Sequence, residues 1–157
     1  MKDEKFNILL ADDDPDDRMF FQDALDELSI QATLSEVTNG SDLMKFLENN
    51  LNKLPDVLFL DLNMPSKSGM ECLSEIKKHE KLSQIPVLIY STSANPEVVE
   101  ILYNMGALYY IRKEGDFSCL KAVIGKALFL CRNTRLIQPE RPDFLILVDD
   151  IRPKLPL

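Results

Sequence analysis

Short apolar runs alternate along this chain with amphipathic stretches. Phe6–Ala11 reads FNILLA, the pattern of a strand covered on both faces. It stops at Asp12-Asp13-Asp14, and Pro15, Asp16 and Asp17 follow. Asp14 as N-cap, Pro15 at the first helical position and acids in the first turn predict a helix start. Phe20, Phe21, Ala24, Leu25 and Leu28 recur behind it at helical spacing. Residues 31–37, QATLSEV, predict a second strand. Asn39-Gly40-Ser41 predicts a turn with Ser41 as N-cap, and Leu43, Met44, Phe46 and Leu47 give the next helix an apolar face. Val57–Leu60, VLFL, predicts a third strand ending at Asp61. A loop with Pro65 and Gly69 leads to a helix with Met70, Leu73 and Ile76 on one face. Pro86–Tyr90, PVLIY, predicts a fourth strand ending in Ser91-Thr92-Ser93. Asn95-Pro96-Glu97 repeats the cap-then-proline signature, and Gly106 ends that helix after Met105. Leu108–Arg112, LYYIR, predicts a fifth strand ending at Lys113. A last helix starts at Asp116 or Ser118 and runs to the region of Cys131.

Strands that alternate with helices form βαβ units and a parallel sheet. The expected architecture is therefore α/β, a doubly wound five-stranded parallel sheet of order 2-1-3-4-5. Ligands in such sheets sit beyond the carboxyl ends of the strands, at the switch between strands 1 and 3. Polar residues collect at that edge: Asp12 and Asp13 after strand 1, Asp61 after strand 3, Ser91 after strand 4 and Lys113 after strand 5. Carboxylates crowded into one crevice raise one another's pKa unless a cation compensates. Mg²⁺ takes such oxygen ligands, together with water and phosphate oxygens. Carboxylate, Mg²⁺, lysine and hydroxyl together cradle a phosphoryl group, whose transfer needs positioning and charge neutralisation.

Composition removes other classes. The chain has 157 residues and a net charge of −8, so it is a poor sequence-independent DNA binder. It has no apolar run of roughly 18–20 residues that could span a bilayer. Met1–Lys5 has no apolar segment of a signal peptide. Cys72, Cys119 and Cys131 are far apart and odd in number, which argues against a disulfide framework and for a reducing cytoplasm. A single histidine, His79, excludes chemistry that needs two. No GxxxxGK[ST] segment is present, so a P-loop nucleotide switch is excluded.

At these residues the chain resembles the receiver domain of two-component response regulators. The matching pieces are Asp12-Asp13, LDLNMP (Leu60–Pro65), Gly69, Ser91 and Lys113, in order. Asp61 to Ser91 is 30 positions and Ser91 to Lys113 is 22, which agree with the family. DDDPDDR and LDLNMPSKSGMECLSEIK also resemble the stand-alone receivers of the phytochrome-partner type. The resemblance implies a flavodoxin-like (βα)5 fold over residues 5–131 and a role as a single-domain response regulator rather than an enzyme. It implies that Asp61 accepts the phosphoryl group. Asp13, Asp61 and the backbone carbonyl of Asn63 would bind Mg²⁺, and Asp12 would reach it through water. Lys113 would pair with Asp61 and then with phosphoryl oxygens. Ser91 and Tyr110 would switch together, while Asn63 and Ser93 would tune phosphate lifetime. The implied partners are a histidine kinase or histidine phosphotransfer protein, a downstream protein and a second copy of the chain. The switch would change the face of the fourth helix, fifth strand and fifth helix, where the downstream protein or the second copy would meet it. Neither nucleic acid nor membrane is implied.

One position departs from that family. Glu114 stands where proline usually follows the lysine, so a trans bond or a rearranged loop is expected there. Glu114 is also the feature that keeps open a second reading, a pseudo-receiver that binds without being phosphorylated. A third reading is a phosphohydrolase using Asp12 as nucleophile and Asp14, two residues on, as a second acid. It fits poorly, because Pro15 starts a helix at once and no cap domain is available.

Residues 132–157 form a tail beyond the minimal fold. Asn133–Pro142 reads as a linker and Phe144–Val148, FLILV, as an extra strand followed by Asp149-Asp150 in a solvated turn. Five consecutive apolar residues need a cover, in this chain or by exchange with a partner. The tail is too short for an output domain with its own core.

Overall fold

The computed structural model describes residues 5–133 and 136–151. Expectations that fall on residues 1–4, 134–135 and 152–157 lie outside the described residues. The elements alternate: β1 (Phe6–Ala11), α1 (Pro15–Leu28), β2 (Ala32–Val37), α2 (Gly40–Glu48), β3 (Val57–Leu60), α3 (Gly69–Lys78), β4 (Val87–Ser91), α4 (Pro96–Asn104), β5 (Tyr109–Arg112) and α5 (Phe117–Asn133). The tail adds α6 (Arg141–Phe144) and β6 (Leu145–Ile146). All pairings are parallel, in the order β2-β1-β3-β4-β5-β6. The first five strands stand in the expected order, and the sixth lies outside β5 on the sheet edge.

The strands are apolar at successive positions because both sheet faces are covered. Leu9, Ala11, Leu58, Leu60, Val87, Ile89 and Tyr110 point to one face, where α2, α3 and α4 pack. Ile8, Leu10, Val57, Phe59, Leu88, Tyr90 and Ile111 point to the other, against α1 and α5. On that second face Phe21, Phe59 and Tyr90 pack edge to face, with centroids 4.9, 5.7 and 6.1 Å apart. Such pairs add about 0.5–1.5 kcal/mol each beyond burial. This wedge ties α1 to the sheet close to the strand ends.

Helix starts follow local chemistry. Asp14 caps α1 by accepting from the backbone N–H groups of Asp16 and Asp17 at 2.8 and 3.3 Å. Asn95 caps α4, with Pro96 next. Ser68 and Glu71 form a capping box on α3. The cap of α2 is Asn39, not the expected Ser41: Asn39 Oδ1 accepts from Asp42 N at 2.8 Å. Gly40, the first residue of α2, packs so tightly on the β3–α3 loop that a Cβ there would lie 2.1 Å from the Lys67 carbonyl oxygen. Gly106 ends α4 with φ +93°, as its position suggests.

The tail departs from expectation in extent. Phe144 ends the short α6 and only Leu145–Ile146 pairs with β5, so the expected strand over 144–148 is reduced to two residues. Val148–Asp150 instead forms a 3₁₀ turn closed by Ile151 N to Val148 O at 3.0 Å. The pairing is within the chain. Part of the expected linker is also fastened down. Gln138 Nε2 donates to the carbonyls of Tyr103 and Ala107 at 2.7 and 2.8 Å, which fastens it to the segment where α4 ends. Tyr103 Oη donates to Pro139 O at 2.8 Å, and Arg141 Nε meets Glu100 Oε2 at 2.6 Å. Phe144 is fully buried, edge on to Tyr103 (5.1 Å) and Tyr110 (6.4 Å). β6 thus covers the middle two residues of the β5 edge, Tyr110 and Ile111, and its own two-residue length limits edge-to-edge pairing. No helix among the described residues is long and apolar enough to cross a membrane.

Candidate functional site

The parallel topology delivers the strand-end residues to one crevice. Asp61 follows β3 and its backbone N–H donates to Ala11 O at 2.9 Å, so it stands beside Asp12 at the end of β1. One ligand atom from each of Asp12, Asp13 and Asp61 lies within 4.8 Å of the others. Asp12 and Asp61 are buried, Asp13 is exposed. Asp12 Oδ1 accepts from Asp14 N at 3.0 Å. Asp12 Oδ2 lies 2.7 Å from Lys113 Nζ, yet off the direction of a hydrogen bond, and is otherwise unpartnered. A buried carboxylate oxygen without an aligned donor, among three hard oxygen ligands, fits a divalent cation such as Mg²⁺.

The electrostatics agree with that fit. Burial pushes the Asp61 carboxyl up to about 7; Lys113 opposes this, and Asp12 and Asp13 reinforce it. Burial also raises Asp12, with Lys113 opposing. Burial alone would lower Lys113, but the carboxylates of Asp12, Asp17 and Asp61 outweigh it and hold the ammonium charged. Lys113 Nζ is 2.7 Å from Asp12, 2.9 Å from Asp17 and 3.8 Å from Asp61. It also sits 5.0 Å from the centre of the Tyr90 ring.

Ser91 is buried at the end of β4, and its Oγ accepts from Ser93 N at 3.3 Å. Tyr110 is fully buried and already turned inward; its hydroxyl donates to the Ser93 carbonyl. Asn63 and Ser93 are exposed on the loops above the crevice, and the Asn63 backbone N–H supports the Asp61 carboxylate. The Lys113–Glu114 bond is trans, as the glutamate predicts. Asp14 is used as the cap of α1, which removes it as the second acid of a phosphohydrolase.

Three contributors, two on α1 and one on β4, escaped the reading of the sequence. Asp17 binds Lys113 from α1. Arg18 Nη1 donates to Asp12 O at 2.7 Å and its Nε lies 3.6 Å from Glu36. Tyr90 supports the lysine from β4. Gly69 also belongs to the site. A Cβ there would lie 2.2 Å from Asp61 O and 2.9 Å from Leu62 Cα. Gly69→Ala is expected to push this loop away from Asp61 and to cost about 1–3 kcal/mol. Urea denaturation measures the cost, and a weaker Mg²⁺ titration reports the shift of Asp61.

Comparison with known proteins agrees with this geometry. Residues 8–125 match the model of the response regulator receiver domain. The chain is 34% identical over 117 residues to response regulator Rcp1 of Synechocystis sp., covering 72% of this chain and 80% of that protein. It is 30% identical over 122 residues to the probable methanogenesis regulatory protein FilR2 of Methanothrix harundinacea, covering 76% and 79%. Among solved structures, the phosphorylated cyanobacterial phytochrome response regulator RcpA superposes with a TM-score of 0.76 at 30% identity, covering 83% of this chain and 96% of that one. The Mn(2+)-bound form of response regulator Rcp1 superposes with a TM-score of 0.71 at 29% identity, covering 85% and 98%. With the strand order, the acidic crevice and these likenesses in agreement, the chain belongs to the response regulator receiver domain family.

Proposed function

We propose that this chain is a phosphorylation-controlled signalling module and that Asp61 is its phosphoacceptor. The observation that carries the reading is the buried Asp61 carboxylate, gathered with Asp12 and Asp13 and facing Lys113. A histidine kinase or histidine phosphotransfer protein presents a phosphohistidine. An Asp61 oxygen attacks phosphorus, the P–N bond breaks, and its electron pair stays on the imidazole nitrogen, which takes a proton. Asp13, Asp61 and the Asn63 carbonyl would hold Mg²⁺ directly and Asp12 through water; the ion supplies neutralisation of the phosphoryl charge. Lys113 meets the phosphoryl oxygens with its ammonium. Ser91 donates its hydroxyl to one of them, and Asn63 and Ser93 shape the access of water. The product is an aspartyl phosphate, held until hydrolysis, so the chain acts as a switch and not as a turnover enzyme.

Movement of Ser91 reaches Tyr110 through the Ser93 loop, since Tyr110 is bonded to that loop. Tyr110 packs on Phe144, so the surface that changes is made jointly by α4, β5, α5 and residues 138–146. A downstream protein or a second copy of the chain therefore meets the docked tail together with the receiver face. New charge-assisted contacts shift the population of that surface.

The test is incubation of the full chain with Mg²⁺ and acetyl phosphate, followed by intact mass measurement. Wild type gains one phosphoryl group, while Asp61→Asn, or wild type with chelator, gains none. A wild type that neither gains mass nor binds beryllofluoride would be a pseudo-receiver, the outcome that Glu114 makes worth testing.

A further inference from the structure

Lys113 sits nearer to a helix carboxylate than to the proposed phosphoacceptor. Its Nζ donates a hydrogen bond to Asp17 Oδ2 at 2.9 Å, while Asp61 Oδ1 is 3.8 Å away. Asp17 is held at a set place. Its backbone N–H is bound by the Asp14 cap, and the next residue, Arg18, is anchored on Asp12 O. Phe21, one turn further on, is wedged against Phe59 and Tyr90. The pair is also partly shielded, with side-chain exposure of 8% for Lys113 and 31% for Asp17. This sets it apart from the open ion pairs whose worth is near zero. Asp16, one residue earlier, is exposed and bears the same charge without this contact.

We propose that Asp17 is a positioning residue for Lys113: it holds the ammonium off Asp61 in the resting state and thereby restrains loading of the site. The proposal rests on the phosphoacceptor reading above. A phosphoryl group on Asp61 needs the ammonium, so the Lys113–Asp17 hydrogen bond must be given up or shared. The Asp17 carboxylate is then left facing the phosphoryl charge. Both effects oppose loading, and both vanish when the carboxylate is removed.

Asp17→Ala and Asp16→Ala remove one charge each from the same helical turn, but only the first removes the contact. The full chain, with Mg²⁺ present, is titrated with beryllofluoride and timed with acetyl phosphate, and Mg²⁺ alone is titrated by calorimetry. Asp17→Ala is expected to bind beryllofluoride about tenfold more tightly and to load correspondingly faster, the scale of one charge-assisted hydrogen bond released. Mg²⁺ alone should bind no tighter, because a negative charge has been lost. Asp16→Ala should stay within about twofold of wild type, and Asp17→Glu, which keeps the carboxylate, should return toward it. A merely structural Asp17 would weaken Mg²⁺ and beryllofluoride binding together, and that result overturns the proposal. Equal effects of Asp16→Ala and Asp17→Ala overturn it too, since field strength alone would then suffice. A wild type that binds no beryllofluoride and takes no phosphoryl group removes the phosphoacceptor reading, and the proposal with it.

Discussion

Truncation of Phe144 to alanine is expected to release the tail strand while the five-stranded sheet stays folded. Phe144 is fully buried among residues of α4 and β5, and its ring meets Tyr103 and Tyr110 edge on. Phenylalanine-to-alanine changes in cores cost about 3–5 kcal/mol. The other apolar anchors of the tail are the buried Ile146 and the partly buried Leu145, Val148 and Ile151, with the Gln138, Tyr103 and Arg141 contacts beside them. Undocking of residues 138–146 is therefore an easier response than global unfolding, and it limits the loss of global stability to what docking contributed. Amide exchange at residues 145–146 and along β5 should rise on the order of 10²–10³-fold, while amides of β1 and β3 stay protected. The Tyr110 hydroxyl keeps its Ser93 partner but loses the ring that backs it. Unchanged exchange at β5 would show that Phe144 contributes little to docking and that Ile146 and the polar contacts suffice.

The second large effect is a pH-dependent stabilisation by Asp61→Asn in the absence of divalent cations. Burial raises the Asp61 carboxyl from 3.8 to about 7. Between those values the folded state holds a proton that the unfolded state has lost. That contribution to stability is fully present below 3.8, and it is lost as pH rises through about 7. Asp12 is raised as well and adds in the same direction. An asparagine carries no such charge. The variant should therefore exceed wild type by on the order of 2–4 kcal/mol near pH 8, and the gap should close toward pH 4. Lys113 is not orphaned in the variant, because Asp12 and Asp17 are its nearer partners. Urea denaturation with chelator across that pH range measures the gap. Excess Mg²⁺ should then stabilise wild type more than the variant, by mass action on the folded state. A difference that does not vary with pH would mean that Asp61 is not held protonated by its surroundings.

Most of the receiver architecture was legible because the apolar runs are continuous. Val57–Leu60 and Val87–Tyr90 are buried at every position, and such strands need cover on both faces. Asp14-Pro15 and Asn95-Pro96 announced two helices through chemistry confined to neighbouring residues. The start of α2 was misplaced because asparagine and serine cap about equally well, so residue type alone did not choose Asn39 over Ser41. Asp12, Asp61, Ser91 and Lys113 were found together because a parallel sheet puts every strand's carboxyl end on one edge. Asp17 was hidden for the complementary reason: it looked like one more acid in a helix's first turn, a role that Asp16 does fill.

The chain's local order thus determined the alternation of elements, the parallel sheet, the strand-end carboxylates and the family. Each of these depends on residue type and spacing within one element or one βαβ unit. The tertiary structure alone decided which carboxylates Lys113 meets, that Tyr110 is turned inward, and that FLILV contributes two residues of strand inside its own chain. Those outcomes depend on distances between residues far apart in sequence. Asp17 and Lys113 are 96 positions apart, as are no two residues that a helical or strand period can relate. Hydrophobic patterning says which face is buried; only packing says what it is buried against.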